Sequence, residues 1–138
     1  MNQRGFSLIE ILIVIAIVGI LVGVALPSYR QYTQRAHFTE ITQATLPYKL
    51  AVSQCYQITL SLAECVSGKN GIPAAINNNN PKQLLLRVGV AANGVIVAIP
   101  KDRKGFTSDD EYRLVPSIEH HHVYWHTSGK AVELGYAK

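Results

Sequence analysis

Polar and apolar positions follow three different patterns along the chain. From Ile11 to Leu26 no side chain is polar or charged, so the segment is apolar all round instead of striped on one side. Taken as a helix from Phe6 to Leu26 it would be about 31 Å long, which matches a bilayer hydrocarbon core of about 30 Å. From Ser28 to Leu46 the residues suit a helix and include no glycine, while Pro27 and Pro47 bound the stretch. Each proline removes a backbone donor and crowds the preceding turn, which predicts one long helix with two bends running to about Cys55. Its lower half places Ile41, Ala44, Tyr48, Ala51, Val52 and Cys55 near a 3.6-residue spacing, a face suited to packing on a sheet.

Turn-forming residues then take over. Gly68, Gly71, Pro73 and the run Asn77 to Asn80 mark the stretch from Cys55 to Pro81 as a connecting region, with the asparagines in a solvated loop. Beyond Pro81 the period changes to two. Strands are expected at Gln83 to Val90, Gly94 to Ile99, Glu111 to Val115 and Val123 to His126, with a further one at Ala131 to Leu134 after the Ser128-Gly129 turn. Asn93-Gly94 between two aliphatic runs is a hairpin signal. The fold class that results is α+β: a long bent N-terminal helix packed against an antiparallel sheet of about four strands.

At 138 residues the chain has room for one core and an appendage. Its 13 Lys and Arg against 9 Asp and Glu give a formal charge of +4, a mild excess unlike the dense basic run of a dedicated nucleic-acid binder. The two cysteines, Cys55 and Cys65, are ten positions apart. In a chain sent to or across a membrane such a pair is most simply a disulfide, the alternative being two unpaired thiols. No phosphate-binding loop, dinucleotide fingerprint, zinc-spaced cysteine set or nucleophile elbow occurs, so no enzymatic constellation, cofactor or metal is indicated.

Glu10 decides how the N-terminus is read. An ordinary secretory signal or a plain single-pass anchor would explain Arg4 and the apolar run, but neither needs a carboxylate at its front, which costs about 3 kcal/mol at mid-bilayer. If a protease cuts after Gly5, Phe6 becomes a charged terminus about one helical turn from Glu10. The acid then has a cation to pair with, on its own chain or a neighbour's, and it also complements the helix dipole. An acidic residue that merely favours a helix start is the simpler reading of Glu10 alone. Gly19 and Gly23 add a weak signal for close helix packing.

Met1-Asn-Gln-Arg-Gly5, followed by Phe6-Ser-Leu-Ile-Glu10 and an unbroken apolar helix with Pro27, resembles the class III signal of type IV pilins and pseudopilins. The resemblance implies a leader at residues 1–5, cleavage between Gly5 and Phe6 by a prepilin peptidase, and N-methylation of Phe6. Residues 6–30 would be the transmembrane and assembly half of the helix, and residues 31–138 a periplasmic or extracellular head. It further implies a homopolymer built through Glu10, first held in the inner membrane by a single pass and then extracellular as a pilus filament. The implied partners are an assembly platform and ATPases, with twitching motility, cell adhesion or DNA uptake as outcomes. A type II secretion pseudopilin or a minor pilin shares the same start. Many members tie the last strand to a loop with a disulfide, whereas nothing after Cys65 is cysteine here, so a Cys55 to Cys65 bridge would brace the exit of the long helix instead.

Strand alternation puts His120, His122, Tyr124 and His126 on one, solvated face and His121, Val123 and Trp125 on the other, apolar one. Metal binding by the histidines is the lesser alternative. Lys101, Arg103 and Lys104, interrupted by Asp102, read as an exposed loop whose charges suit a neighbouring subunit better than DNA.

Overall fold

A computed structural model describes residues 5–138, and Met1 to Arg4, most of the expected leader, lie outside the described residues. Two units emerge, the first ending at Thr33 and the second spanning Gln34–Lys138. Helix α1 (Leu8–Ala44) runs through that boundary without interruption at Pro27, and α2 (Leu46–Thr59) follows after the single residue Thr45. The break belongs to Pro47, which sits in the first turn of α2, where a missing N–H leaves no partner unsatisfied. Helix therefore continues four residues past Cys55, until Leu60 turns left-handed at φ 53° and donates its N–H to the Tyr56 carbonyl.

In the second unit one stripe of these helices is buried: Phe38, Ile41, Thr45, Tyr48, Val52 and Cys55 are each at most 2% exposed. Their spacing of three, four, three, four and three residues keeps them on one side of a 3.6-residue helix. Against them lies a five-stranded antiparallel meander in the order β1 (Ile76–Asn77), β2 (Leu85–Val90), β3 (Ile96–Pro100), β4 (Tyr112–Glu119) and β5 (His122–Ser128). Its inward positions, among them Val88, Ile96, Ala98 and Leu114, complete the core. Phe38, Phe106, Tyr112 and Tyr136 form an aromatic cluster with ring centroids 5.0 to 6.3 Å apart. Glu40 joins helix to sheet by accepting the backbone N–H of Leu84 at 2.8 Å.

Two sequence expectations require correction. The asparagine run is not wholly loop, because Asn77 lies in β1, paired with Arg87 of β2. After it the Asn78 and Asn80 side chains accept the backbone N–H of Asn80 and Lys82, local turns that end the strand. Ala131 to Leu134 is not a strand but the one-turn helix α3 (Lys130–Glu133). Gly129 turns the chain at φ +101°, and Ala131 donates to the Glu111 carbonyl at 3.2 Å and is fully buried. The segment thus folds over the open end of the core, and Tyr136 reaches Phe38 and Phe106. At the other hairpin the expectation holds: Asn93 and Gly94 take φ 59° and 72° between β2 and β3.

A Cβ at Gly129 would stand 2.5 Å from the Glu111 carbonyl oxygen, in a backbone region other residues rarely occupy. Gly129→Ala is therefore expected to destabilise the protein by about 2 to 3 kcal/mol, read as a lowered urea midpoint. Tyr112 is 6% exposed, and burial raises its phenol above the usual 10.0. A group whose acidity is weakened by folding favours the fold only while protonated. Stability should be flat from pH 7 to about 9 and fall as pH rises above about 10. Tyr112→Phe should shallow that fall in denaturation followed by circular dichroism.

Candidate functional site

The first unit is a helix with no covering. Every residue from Gly5 to Gln31 is exposed, Phe6 at 83% and the aliphatics from Leu8 to Leu26 at 45 to 77%. A soluble surface does not carry apolar area of this extent without a partner phase or partner surface. The length and composition of this helix are sufficient to cross a membrane.

Its N-terminus is built around Ser7. The Glu10 and Ile11 N–H groups donate to the Ser7 carbonyl at 3.0 and 3.4 Å, and the Glu10 side chain folds back so that its Oε2 accepts the Ser7 N–H at 2.8 Å. This is one half of a capping box, in which an acid at the third helical position answers a free N–H at the cap. In the sequence, Ser7-Leu-Ile-Glu10 carries the spacing of this motif. Glu10 thus makes the helix-start interaction in the uncut chain, where the Phe6 nitrogen is an uncharged amide. Gly5 is exposed, with no atom within 4 Å of where a Cβ would stand.

Cys55 and Cys65 are bonded to each other and both are buried, at 1% and 0%. The bridge pins the last turn of α2 to the following loop. That loop reaches β2 through Ser67, whose Oγ accepts the Val90 N–H at 2.7 Å and whose own N–H donates to the Val90 carbonyl at 3.1 Å. Closing ten residues should stabilise by about 2 to 3 kcal/mol.

The histidines are arranged differently from the alternation expected of them. His120 and His121 are not in a strand: they are the two-residue turn between β4 and β5, with φ 48° and 63°. Positive φ at both positions is the hairpin geometry that matches strand twist, and it overrides alternation for these two residues. From His122 onward the alternation holds, with His122, Tyr124 and His126 exposed and Val123 and Trp125 half-buried. His126 Nε2 lies 2.9 Å from Ser117 Oγ. Among the described residues no group of three or more His, Cys, Asp or Glu side chains is placed to hold a metal ion. In the basic loop, Lys101 donates to the Asn80 carbonyl, Lys104 Nζ lies 3.3 Å from His37 Nδ1, and Asp102 accepts the Ser108 N–H.

A long N-terminal helix with a bare apolar half, a cap closed by an acid, and a meander sheet packed on its lower part together match the α+β pilin fold. Residues 1–26 match the family described as the prokaryotic N-terminal methylation motif. The chain is 46% identical over 74 residues to the type IV pilus subunit protein TapA of Aeromonas hydrophila, covering 54% of this chain and 52% of that protein. It is 36% identical over 91 residues to the prepilin peptidase-dependent protein D of Escherichia coli (strain K12), covering 66% and 62%. It is 54% identical over 54 residues to the type IV major pilin protein PilE1 of Neisseria gonorrhoeae, covering 39% and 33%. The chain thus spans about half the length of TapA and less than two thirds of protein D. It carries the prokaryotic N-terminal methylation motif and is similar to type IV pilins over its N-terminal half.

Histidine tolerates left-handed backbone less well than asparagine and glycine do. Replacing His120-His121 by Asn-Gly is expected to raise stability by about 1 kcal/mol, seen as a higher thermal midpoint with unchanged circular dichroism.

Proposed function

We propose that this chain is the structural subunit of a type IV pilus. A prepilin peptidase cuts between Gly5 and Phe6 and methylates the new Phe6 amine. The subunit waits in the inner membrane as a single pass, and a platform with its ATPases then draws it into a helical surface filament. The observation that carries the reading is the uncovered, largely apolar segment from Phe6 to Leu26, which lies within the residues that match the methylation motif. Lipid covers that surface before assembly, and the same helices of other copies cover it afterwards. A contact between unlike faces, repeated without closure, generates a filament.

Glu10 supports the same reading through its position. Its carboxylate is already turned toward the Ser7 N–H, so a terminal amine on the adjacent Phe6 would arise beside it. Exchanging lipid for protein gains little hydrophobic energy, so packing and an ion pair in apolar surroundings must supply specificity. Motility, adhesion and DNA uptake are the downstream roles this reading allows. A pseudopilin of a type II secretion system is the second reading, because the same N-terminal motif would start either kind of subunit. A surface filament containing this chain, released by shearing cells, decides for the pilus.

Mass spectrometry of the N-terminal peptide from that material should find N-methylated Phe6. A chain that keeps Met1, or one that begins near Leu26, overturns the proposal. Glu10→Val should abolish piliation while leaving the protein in the membrane. Glu10→Gln separates the two roles, because an amide oxygen still accepts the Ser7 N–H but cannot form an ion pair. Loss of piliation in both variants is expected, and normal piliation in Glu10→Gln would remove the charge from the mechanism.

A further inference from the structure

The two edges of the sheet are protected unequally. β1 is two residues long and leaves little backbone to pair. β5 closes the other edge with seven residues, HVYWHTS, and pairs only with β4. It contains no proline and no lysine or arginine, the residues with which edge strands usually discourage a newcomer.

The register shows which groups are free. The two-residue turn at His120 and His121 makes Glu119 and His122 a hydrogen-bonded pair, and such pairs recur at every second position: Ser117 with Tyr124, Val115 with His126, Arg113 with Ser128. The N–H and C=O groups of Val123, Trp125 and Thr127 therefore point away from β4. Among the described residues no other hydrogen bond takes them. Beside this edge a groove of about 250 Å³ lies between sheet and helix, lined by Leu46 and Lys49 from the helix, Trp125 and Thr127 from β5, and Lys138. The Lys49 ammonium lies 5.8 Å from the centroid of the Trp125 ring. No side chain lining the groove is acidic, and two, Lys49 and Lys138, are basic.

We infer that the β5 edge is a strand-addition site for an extended acidic segment of a partner protein. The segment's backbone would pair with Val123, Trp125 and Thr127, and its alternate side chains would enter the groove to meet Lys49 and Lys138. Backbone pairing supplies affinity in this mode, while the side chains on the groove side supply selectivity.

Trp125 is the sole tryptophan, so its fluorescence reports occupancy directly. The full-length protein in detergent is titrated with two synthetic heptapeptides, one alternating Val with Glu and one alternating Val with Lys. Saturable change in Trp125 emission is expected with the first, and binding at least about tenfold weaker with the second. Thr127→Pro removes an outward N–H without touching the β4 ladder, and should weaken the acidic peptide by about tenfold or more. Lys49→Glu should reverse the preference between the peptides without depending on a proline being accommodated. Equal binding of both peptides, or acidic-peptide binding unchanged in Thr127→Pro and Lys49→Glu, overturns the inference. Emission that instead changes with protein concentration alone, and no longer does so in Thr127→Pro, assigns the edge to a second copy and equally overturns it.

Discussion

Burial of a single helical stripe, Phe38 to Cys55, under the sheet is what allows the second unit to exist as a folded body. A meander of five short strands has one face to hide and nothing of its own to hide it with. The helix supplies Phe38, Ile41, Tyr48 and Val52, which are at most 2% exposed, and the remaining connections serve that contact. Glu40 holds the start of β2 to the helix, the Cys55 to Cys65 bridge fixes where α2 ends, and Gly129 turns the chain so that Ala131 and Tyr136 close the open end. N-terminal to Thr33 the same helix has no such duty, and from Ile11 to Leu26 its surface is apolar all round and bare. One element thus carries two kinds of hydrophobic surface, one satisfied within the chain and one left for another phase or another copy.

Much of this was legible because the two kinds of surface have different periods. An unbroken run of sixteen apolar residues, Ile11 to Leu26, and a 3.6-residue stripe below it cannot be confused with each other. Strand positions were found to within a few residues wherever alternation was clean, and Asn93-Gly94 located its hairpin. Legibility failed where local geometry was set by tertiary demand. Ala131 to Leu134 has a strand-like composition, yet Gly129 aims it across the core, and a single helical turn buries Ala131 there. His120 and His121 obey the turn instead of the strand, since the two-residue connection here takes the hairpin geometry with positive φ at both places. β1 is too short to have a period at all and exists only because β2 offers it an edge.

The start of the helix shows how one residue can be read correctly and incompletely. The position of Glu10 in an apolar run called for a positively charged partner, and among the described residues none lies beside it. What the geometry shows is a weaker but immediate answer, the backbone N–H of Ser7. The two partners do not compete. A carboxylate has two oxygens and several acceptor directions, so holding the cap leaves capacity for an amine that cleavage would create one residue away. Capping also lowers the entropic cost of a later ion pair by fixing the side chain before the partner exists.

The unequal edges of the sheet add a constraint of the same kind. In the filament proposed here, subunits stand at high local concentration, the condition under which unprotected strand edges join to one another without limit. A short β1 removes that hazard on one side. On the other side, β5 is long and neutral apart from histidine, but Lys49 and Lys138 flank it, and β5 itself offers no acid to them. Two such edges brought together would place like charges side by side, whereas an acidic strand would not. The lysines therefore disfavour self-pairing by the same charges that would select a partner, so the edge can remain open in a crowded polymer and still bind.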